Sequence, residues 1–176
     1  MIVVGSSGAG KTTLARELAR RLDVPHVELD ALHWGPNWTE TPTEILRAKV
    51  QRAIAGDGWT LCGNYLKLRD SIWPRADTII WLDYPMSRVM WQVLRRTLVR
   101  CMKRERLWAN NVETWGLSFF SSDSIIVWAW TSWRKQRRTF TKFFRSGEYP
   151  EIRRYRFGSP RETWEWLEGV GVEERG

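Results

Sequence analysis

The sequence predicts an α/β domain built on a parallel sheet, and three observations predict it. Residues 2–4, Ile2-Val3-Val4, form an apolar, β-branched run of the kind that a strand buried on both faces requires. A glycine-rich loop follows at once, with residues 5–12 fitting G-x-x-x-x-G-K-[ST]. Four further apolar runs recur downstream, separated by stretches with helical periodicity. At 176 residues this is one domain, long enough to bury most of its apolar surface.

The opening unit carries the firmest chemistry. After the loop, Leu14, Leu18 and Leu22 recur every four residues beside Ala15 and Ala19, so a helix follows. Strand, glycine loop and helix N-terminus together aim backbone N–H groups and a positive dipole end at an anion. Gly5, Ser6, Ser7, Gly8, Ala9, Gly10, Lys11, Thr12 and Thr13 are therefore expected to cradle phosphates. Lys11 is placed to reach the β- and γ-phosphates and the Thr12 hydroxyl to ligand Mg²⁺. The expected ligand is a nucleoside triphosphate, ATP, with Mg²⁺.

Composition sets the limits. Hydrophobic residues make up 43% and charged residues 27%, the balance of a folded globular chain. Cys62 and Cys101 give neither a disulfide framework nor a zinc pattern. The longest apolar run, residues 125–130, is far short of a membrane span, and no targeting segment precedes the first strand, so the expected compartment is the cytoplasm. A net charge of +8 suits either nucleic acid or polyanionic small molecules. The 13 tryptophans supply buried area and stacking faces but choose no function.

Taken in order, Pro25-His26-Val27-Glu28-Leu29-Asp30 reads as a second strand ending in a carboxylate. Ligands in open α/β folds sit at the carboxyl ends of the strands. Asp30 is thus either a base for an acceptor hydroxyl or simply a turn-starting residue. His33 either assists it or stands by. Residues 34–38 form an aromatic loop in which Trp34 and Trp38 wall an acceptor pocket or pack on the core. A helix with Leu46, Val50, Ala53 and Ile54 inward follows, with Thr41 as N-cap, Pro42 at its first position and Glu44 completing a capping box. The acceptor-binding segment is expected over roughly residues 31–58.

Trp59-Thr60-Leu61-Cys62 is a third strand, after which Arg69 is an anion clamp or a solvated arginine. Thr78-Ile79-Ile80-Trp81-Leu82-Asp83 is the fourth, closing on a carboxylate that fits a Walker B metal ligand. A long helix from Pro85 then carries Arg88, Arg95, Arg96, Arg100, Lys103, Arg104 and Arg106 around its outer faces and end. So many cations against Glu105 fit a lid that neutralises a transferring phosphoryl group, with Arg96 and Arg100 in that role. The rival is a nucleic-acid-binding face. The lid is expected over roughly residues 100–121. Ser122 or Asp123 starts a last long helix with Ile126, Trp130, Trp133, Phe140 and Phe144 inward and residues 134–138 as its wet end. Residues 152–157 make the fifth strand, and Ser159, Pro160 and Glu162 open a final helix that buries Trp164 and Leu167.

With these stretches in place the chain resembles the adenylate-kinase-like nucleoside and small-molecule kinases. More nearly it resembles the bacterial proteins described as DNA topology modulation proteins or adenylate kinases. The stretches that carry this are Gly5-Ser6-Ser7-Gly8-Ala9-Gly10-Lys11-Thr12-Thr13, Glu28-Leu29-Asp30-Ala31-Leu32-His33-Trp34, Gly63-Asn64-Tyr65, Arg69-Asp70, Trp81-Leu82-Asp83-Tyr84-Pro85 and the lid residues Leu107-Trp108 with Asn111. The resemblance implies a P-loop α/β/α sandwich with strand order 2-3-1-4-5 and a short arginine-rich lid. It implies an ATP-dependent kinase whose acceptor, a nucleotide or small hydroxylated molecule, meets Asp30, His33, Trp34, Asn64 and Arg69. The alternative is a nucleotide-dependent DNA-binding protein. Three departures stand out. Cys62 occupies the place of the family's Asp, which leaves Mg²⁺ to Thr12 and Asp83, with Asp30 a further candidate. Val112 occupies that of a lid arginine. The Asp-Gly-Phe-Pro-Arg stretch of adenylate kinases is absent, which argues against AMP as acceptor.

Overall fold

Five parallel strands lie in the order β2-β3-β1-β4-β5, the order the family resemblance implies. They are β1 (Ile2–Gly5), β2 (His26–Glu28), β3 (Thr60–Cys62), β4 (Thr78–Leu82) and β5 (Arg153–Phe157). The computed structural model describes residues 1–103, 105–112 and 125–170, and their side chains apart from those of 125–129. The helices are α1 (Lys11–Leu22), α2 (Leu29–His33), α3 (Thr43–Ala53), α4 (Arg69–Ile72), α5 (Met86–Lys103), α6 (Ile125–Arg145) and α7 (Pro160–Glu168).

The central strand pairs on both sides: Val3 lies beside Cys62 of β3 and Ile80 of β4. Alternation along β1 and β4 then builds two cores. Val3, Ile80 and Leu82 pack with Leu14 and Leu18 of α1, Val89 and Val93 of α5 and Leu167 of α7. Ile2, Val4, Ile79 and Trp81 pack with Leu46 and Val50 of α3, Ile72 of α4 and Phe140 and Phe143 of α6. The result is a three-layer sandwich whose strand ends converge on the loop after β1.

Several element boundaries and burial assignments differ from expectation. The second strand stops at Glu28, and Asp30 sits instead in the short helix α2. Helix α3 starts at Thr43, with Pro42 rather than Thr41 at its cap. Thr41 is tied elsewhere: its hydroxyl donates to the Leu32 carbonyl at 3.1 Å and its amide to the His33 carbonyl at 2.8 Å. The capping box at α7 is present, because the Ser159 hydroxyl accepts from the Glu162 amide and the Glu162 carboxylate accepts from the Gly158 amide. On α6, Trp130 is exposed while Phe140 and Phe143 are buried, and on α7 Trp164 is exposed while Thr163 and Leu167 are buried. Trp166 instead packs on Tyr155 and Phe157. The start of the last long helix at residues 122–123 and the lid beyond residue 112 lie outside the described residues, as does the side chain of Ile126.

Helix α5 crosses close to the glycine loop. A Cβ built on Gly8, whose φ is +81°, meets Val93 Cγ2 at 2.6 Å and the Val89 carbonyl oxygen at 3.1 Å. Gly8→Ala is expected to cost about 1–3 kcal/mol through this left-handed backbone and the contact with α5. Ser159→Ala is expected to cost about 1 kcal/mol through the lost cap. Thermal melts followed by circular dichroism check both, with a fall of about 2–4 °C for each kcal/mol at this chain length.

Candidate nucleotide-binding site

The loop between β1 and α1 is held in shape by a neighbour just after β3. Gly5 has φ +142°, and a Cβ there would stand 2.6 Å from the Leu82 carbonyl oxygen. The Asn64 side chain closes on the same residue from both sides: Oδ1 accepts from the Gly5 amide at 3.1 Å and Nδ2 donates to the Gly5 carbonyl at 2.6 Å. Gly10, with φ 88°, then caps α1, a helix long enough for its N-terminal dipole to matter. Lys11 Nζ donates to the Ser6 carbonyl at 3.0 Å, and an Arg96 Nη2 donates to the Ser7 hydroxyl at 3.4 Å. Burial lowers the Lys11 pKa below that of a free lysine, while the nearby charges of Asp30 and Glu28 pull it back up.

A second group gathers where α1 begins. The Thr12 hydroxyl donates to Glu28 Oε1 at 3.1 Å, and the Cys62 thiol lies 3.6 Å from the same hydroxyl. The other face of the sulfur meets His26 Nε2 at 3.4 Å. Burial pushes the Cys62 pKa up to about 11, so the group is a neutral thiol at physiological pH. Thr12 and Glu28 together offer oxygen donors of the kind a hard divalent cation takes.

Asp83 has a different setting from the one its position in the sequence suggests. Its side chain is 4% exposed, and both oxygens are engaged by guanidinium groups. Arg137 Nε lies 3.0 Å from Oδ1, and Arg156 reaches Oδ2 through Nη2 at 2.5 Å and Nε at 3.1 Å. Arg156 also stacks over the Trp81 ring at 4.7 Å. Arg137, which the sequence places at a wet helix end, is instead pinned to the end of β4. A carboxylate so occupied is an anchor between α6 and β5 rather than an open metal ligand.

At Asp30, Tyr65 donates its hydroxyl to Oδ1 at 2.7 Å. Burial and that carboxylate raise the phenol's pKa well above its usual value. His33 is buried, with its ring edge-on to Trp34 at 4.6 Å and to Tyr65 at 5.0 Å. Its Nε2 lies 3.7 Å from Glu40, and burial keeps its pKa below the usual imidazole value. Trp34 and Trp38 meet edge to face at 5.7 Å. Asn111 ties its segment to the aromatic loop of residues 34–38, accepting from the Trp38 amide at 3.1 Å and donating to the Gly35 carbonyl at 2.9 Å.

The structure thus brings Lys11, Thr12, Glu28, Asp30 and Arg96 around one loop, with Tyr65 and His33 behind Asp30. Besides Asp83, three other expected residues are engaged by the protein itself. Arg69 pairs with Glu148 at 2.5 Å and lies over the Trp73 and Tyr149 rings, which makes it a strut between α4 and the end of α6. Both ends of the Asn64 amide are spent on Gly5. Arg100 is largely covered and lies 4.0 Å from Glu105. The sequence reading gave no role to Glu28 or to the pairing of Arg137 and Arg156 with Asp83, and it named Asn111 only as a lid residue of the resemblance. Glu28 was legible only from the pairing of β2 with β3, which sets it beside Cys62.

No helix among the described residues is long and apolar enough to cross a membrane. Comparison with known proteins bears on the first half of the chain most directly. Residues 1–83 match the model of the ATPase family associated with various cellular activities, AAA. No curated protein matches the sequence. Among solved structures, the chain is similar to an unliganded sugar kinase from Janibacter sp. HTCC2649, at 18% identity and a TM-score of 0.51 over 97% of this chain and 95% of that one. It also aligns with an uncharacterized protein from Eubacterium ventriosum ATCC 27560, at 13% identity and a TM-score of 0.46 over 99% and 98%. The sheet order, the loop after β1, the family match and the likeness to the sugar-kinase structure agree: the chain has the α/β/α fold of a P-loop NTPase.

Proposed function

We propose that the protein is an ATP-dependent phosphotransferase that moves the γ-phosphoryl group to a small hydroxylated acceptor. The observation that carries this reading is the position of Asp30. Its carboxylate is held by Tyr65 and lies close enough to Lys11 to oppose the effect of burial on that ammonium group. A base near a phosphate-binding lysine is what transfer to a hydroxyl requires, and simple nucleotide binding does not call for one. The sugar-kinase likeness is consistent with it.

In this reading the amides of residues 5–13 and Lys11 hold the triphosphate, and Arg96 stabilises charge on the transferring group. Asp30 takes the acceptor's hydroxyl proton as its oxygen bonds to the γ-phosphorus and the bond to the leaving ADP oxygen breaks. The aromatic hairpin with Trp34 and Trp38, fastened by Asn111, excludes water from that step. When bound, Mg²⁺ neutralises charge shared by the β- and γ-phosphates, and Thr12 is the loop residue that holds it.

A second reading has its own observation. Arg134, Arg138, Lys142 and Arg145 of α6 are exposed and, with Arg137 and Arg156, line an open cleft of about 870 Å³. That surface suits a phosphodiester backbone.

Transfer of labelled phosphate from ATP to a panel of sugars, hydroxy acids and nucleoside monophosphates tests the first reading. Lys11→Ala is expected to lower kcat by at least about 10²–10³-fold and Asp30→Asn by about 10²–10⁴-fold, with unchanged melting curves. Transfer that survives in Lys11→Ala would overturn it. For the second reading, duplex binding through four phosphate contacts should give a slope of about −3 to −4 in log K against log salt. Arg134→Glu with Arg138→Glu, which removes two of the four contacts, should cut that slope to about −2 or less in magnitude. A flat salt dependence, or no binding at low salt, discards the nucleic-acid role.

A further inference from the structure

The sheet raises a question about the divalent cation that a triphosphate brings with it. A P-loop threonine supplies one hydroxyl ligand, and a carboxylate near it normally supplies the charge. Here the neighbouring position on β3 is Cys62, which is a neutral, soft thiol and a poor partner for Mg²⁺. Asp83, at the end of β4, already pairs with Arg137 and Arg156.

The parallel pairing of β2 with β3 supplies another group. Glu28 sits in register with Cys62, and Cys62 with Val3, so the three strands bring them to one level at the mouth of the loop. From there the Glu28 carboxylate accepts the Thr12 hydroxyl proton at 3.1 Å. Among the described residues no arginine or lysine forms an ion pair with it. By holding the Thr12 proton, Glu28 leaves the hydroxyl oxygen as an acceptor, with the Cys62 thiol 3.6 Å from it. Its negative charge also acts on Lys11.

We propose that Glu28, on the neighbouring strand, is the carboxylate that holds the divalent cation together with Thr12 in this protein. This rests on the reading that the loop binds a nucleoside triphosphate. Glu28 is a positioning residue through its bond to Thr12 and a source of charge for the ion, directly or through a water ligand.

The test uses Mn²⁺ in place of Mg²⁺, a β,γ-imido ATP analogue and the full chain, with bound Mn²⁺ read by electron paramagnetic resonance. Glu28→Gln keeps an acceptor for Thr12 and removes the charge. It is expected to weaken Mn²⁺ in the ternary complex by about 10–100-fold. Binding of the analogue in EDTA, read by tryptophan fluorescence, should stay the same or tighten, because a repelling charge has gone. Adding Cys62→Asp to Glu28→Gln should restore Mn²⁺ affinity from the adjacent strand. Mn²⁺ affinity unchanged in Glu28→Gln overturns the inference and leaves the kinase reading standing. Equal loss of Mn²⁺ and of metal-free analogue overturns it too, because that marks a structural role. Wild-type protein that takes up no analogue at all overturns both.

Discussion

The geometry of the site depends on the Asn64 carboxamide closing on Gly5. Two hydrogen bonds from one planar group fix the peptides on either side of a residue whose φ, +142°, an ordinary side chain would resist. The loop leaves β1 at that residue, so its direction there sets where Ser6 to Lys11 can run. A second constraint acts at Gly8, where α5 comes within contact distance of the backbone. Between these points the loop has little freedom, and Lys11 is delivered to the same place as the side chains at the ends of β2 and β3. The pre-set cradle lets backbone dipoles act on phosphate without reorganising first.

Charge is distributed less simply than a count of arginines suggests. Several cations that look available along the sequence hold the fold together. Arg69 braces α4 against Glu148, and Arg137 and Arg156 meet on Asp83. The Asp83 group is buried on the carboxylate side and exposed on the arginine side, and each guanidinium also lies over a tryptophan ring, Trp133 or Trp81. Losing the carboxylate would leave two cations facing one another at the joint of α6 with β5. Burying an ion pair of this kind costs desolvation, and what it secures is the relative placement of two elements. On α6, Arg134, Lys135, Arg138, Lys142 and Arg145 remain exposed.

How far the sequence could be read differs by distance along the chain. The loop, the helix after it and the sheet order were legible because their signals are local or belong to a recognised pattern: Gly5, Gly10 and Lys11 stand within one short stretch, and Leu14 and Leu18 keep helical spacing. Asp30 lies near enough to Lys11 to act on its charge, although it sits on α2 and not on a strand end. Asp83 and Arg69 were misplaced for one reason. Each has the right residue type near the right strand, and each is claimed by a partner more than fifty residues away that no periodicity reveals. Trp130 and Trp164 show the matching weakness of hydrophobic patterning, which cannot tell a tryptophan that packs from one that lies exposed on a helix.

The site also draws on distant pieces of the chain. Gly5 meets Asn64 across 59 positions, Ser7 meets Arg96 across 89 and Trp38 meets Asn111 across 73. Residues 1–83, the part that the ATPase family model matches, contain the loop but stop short of Val89, Val93 and Arg96. A fragment cut at that point would keep the recognisable motif and lose both the helix packed against Gly8 and β5, the partner of β4 on its outer side. The motif is therefore local in the sequence, while the cradle it forms is braced by contacts that span most of the chain.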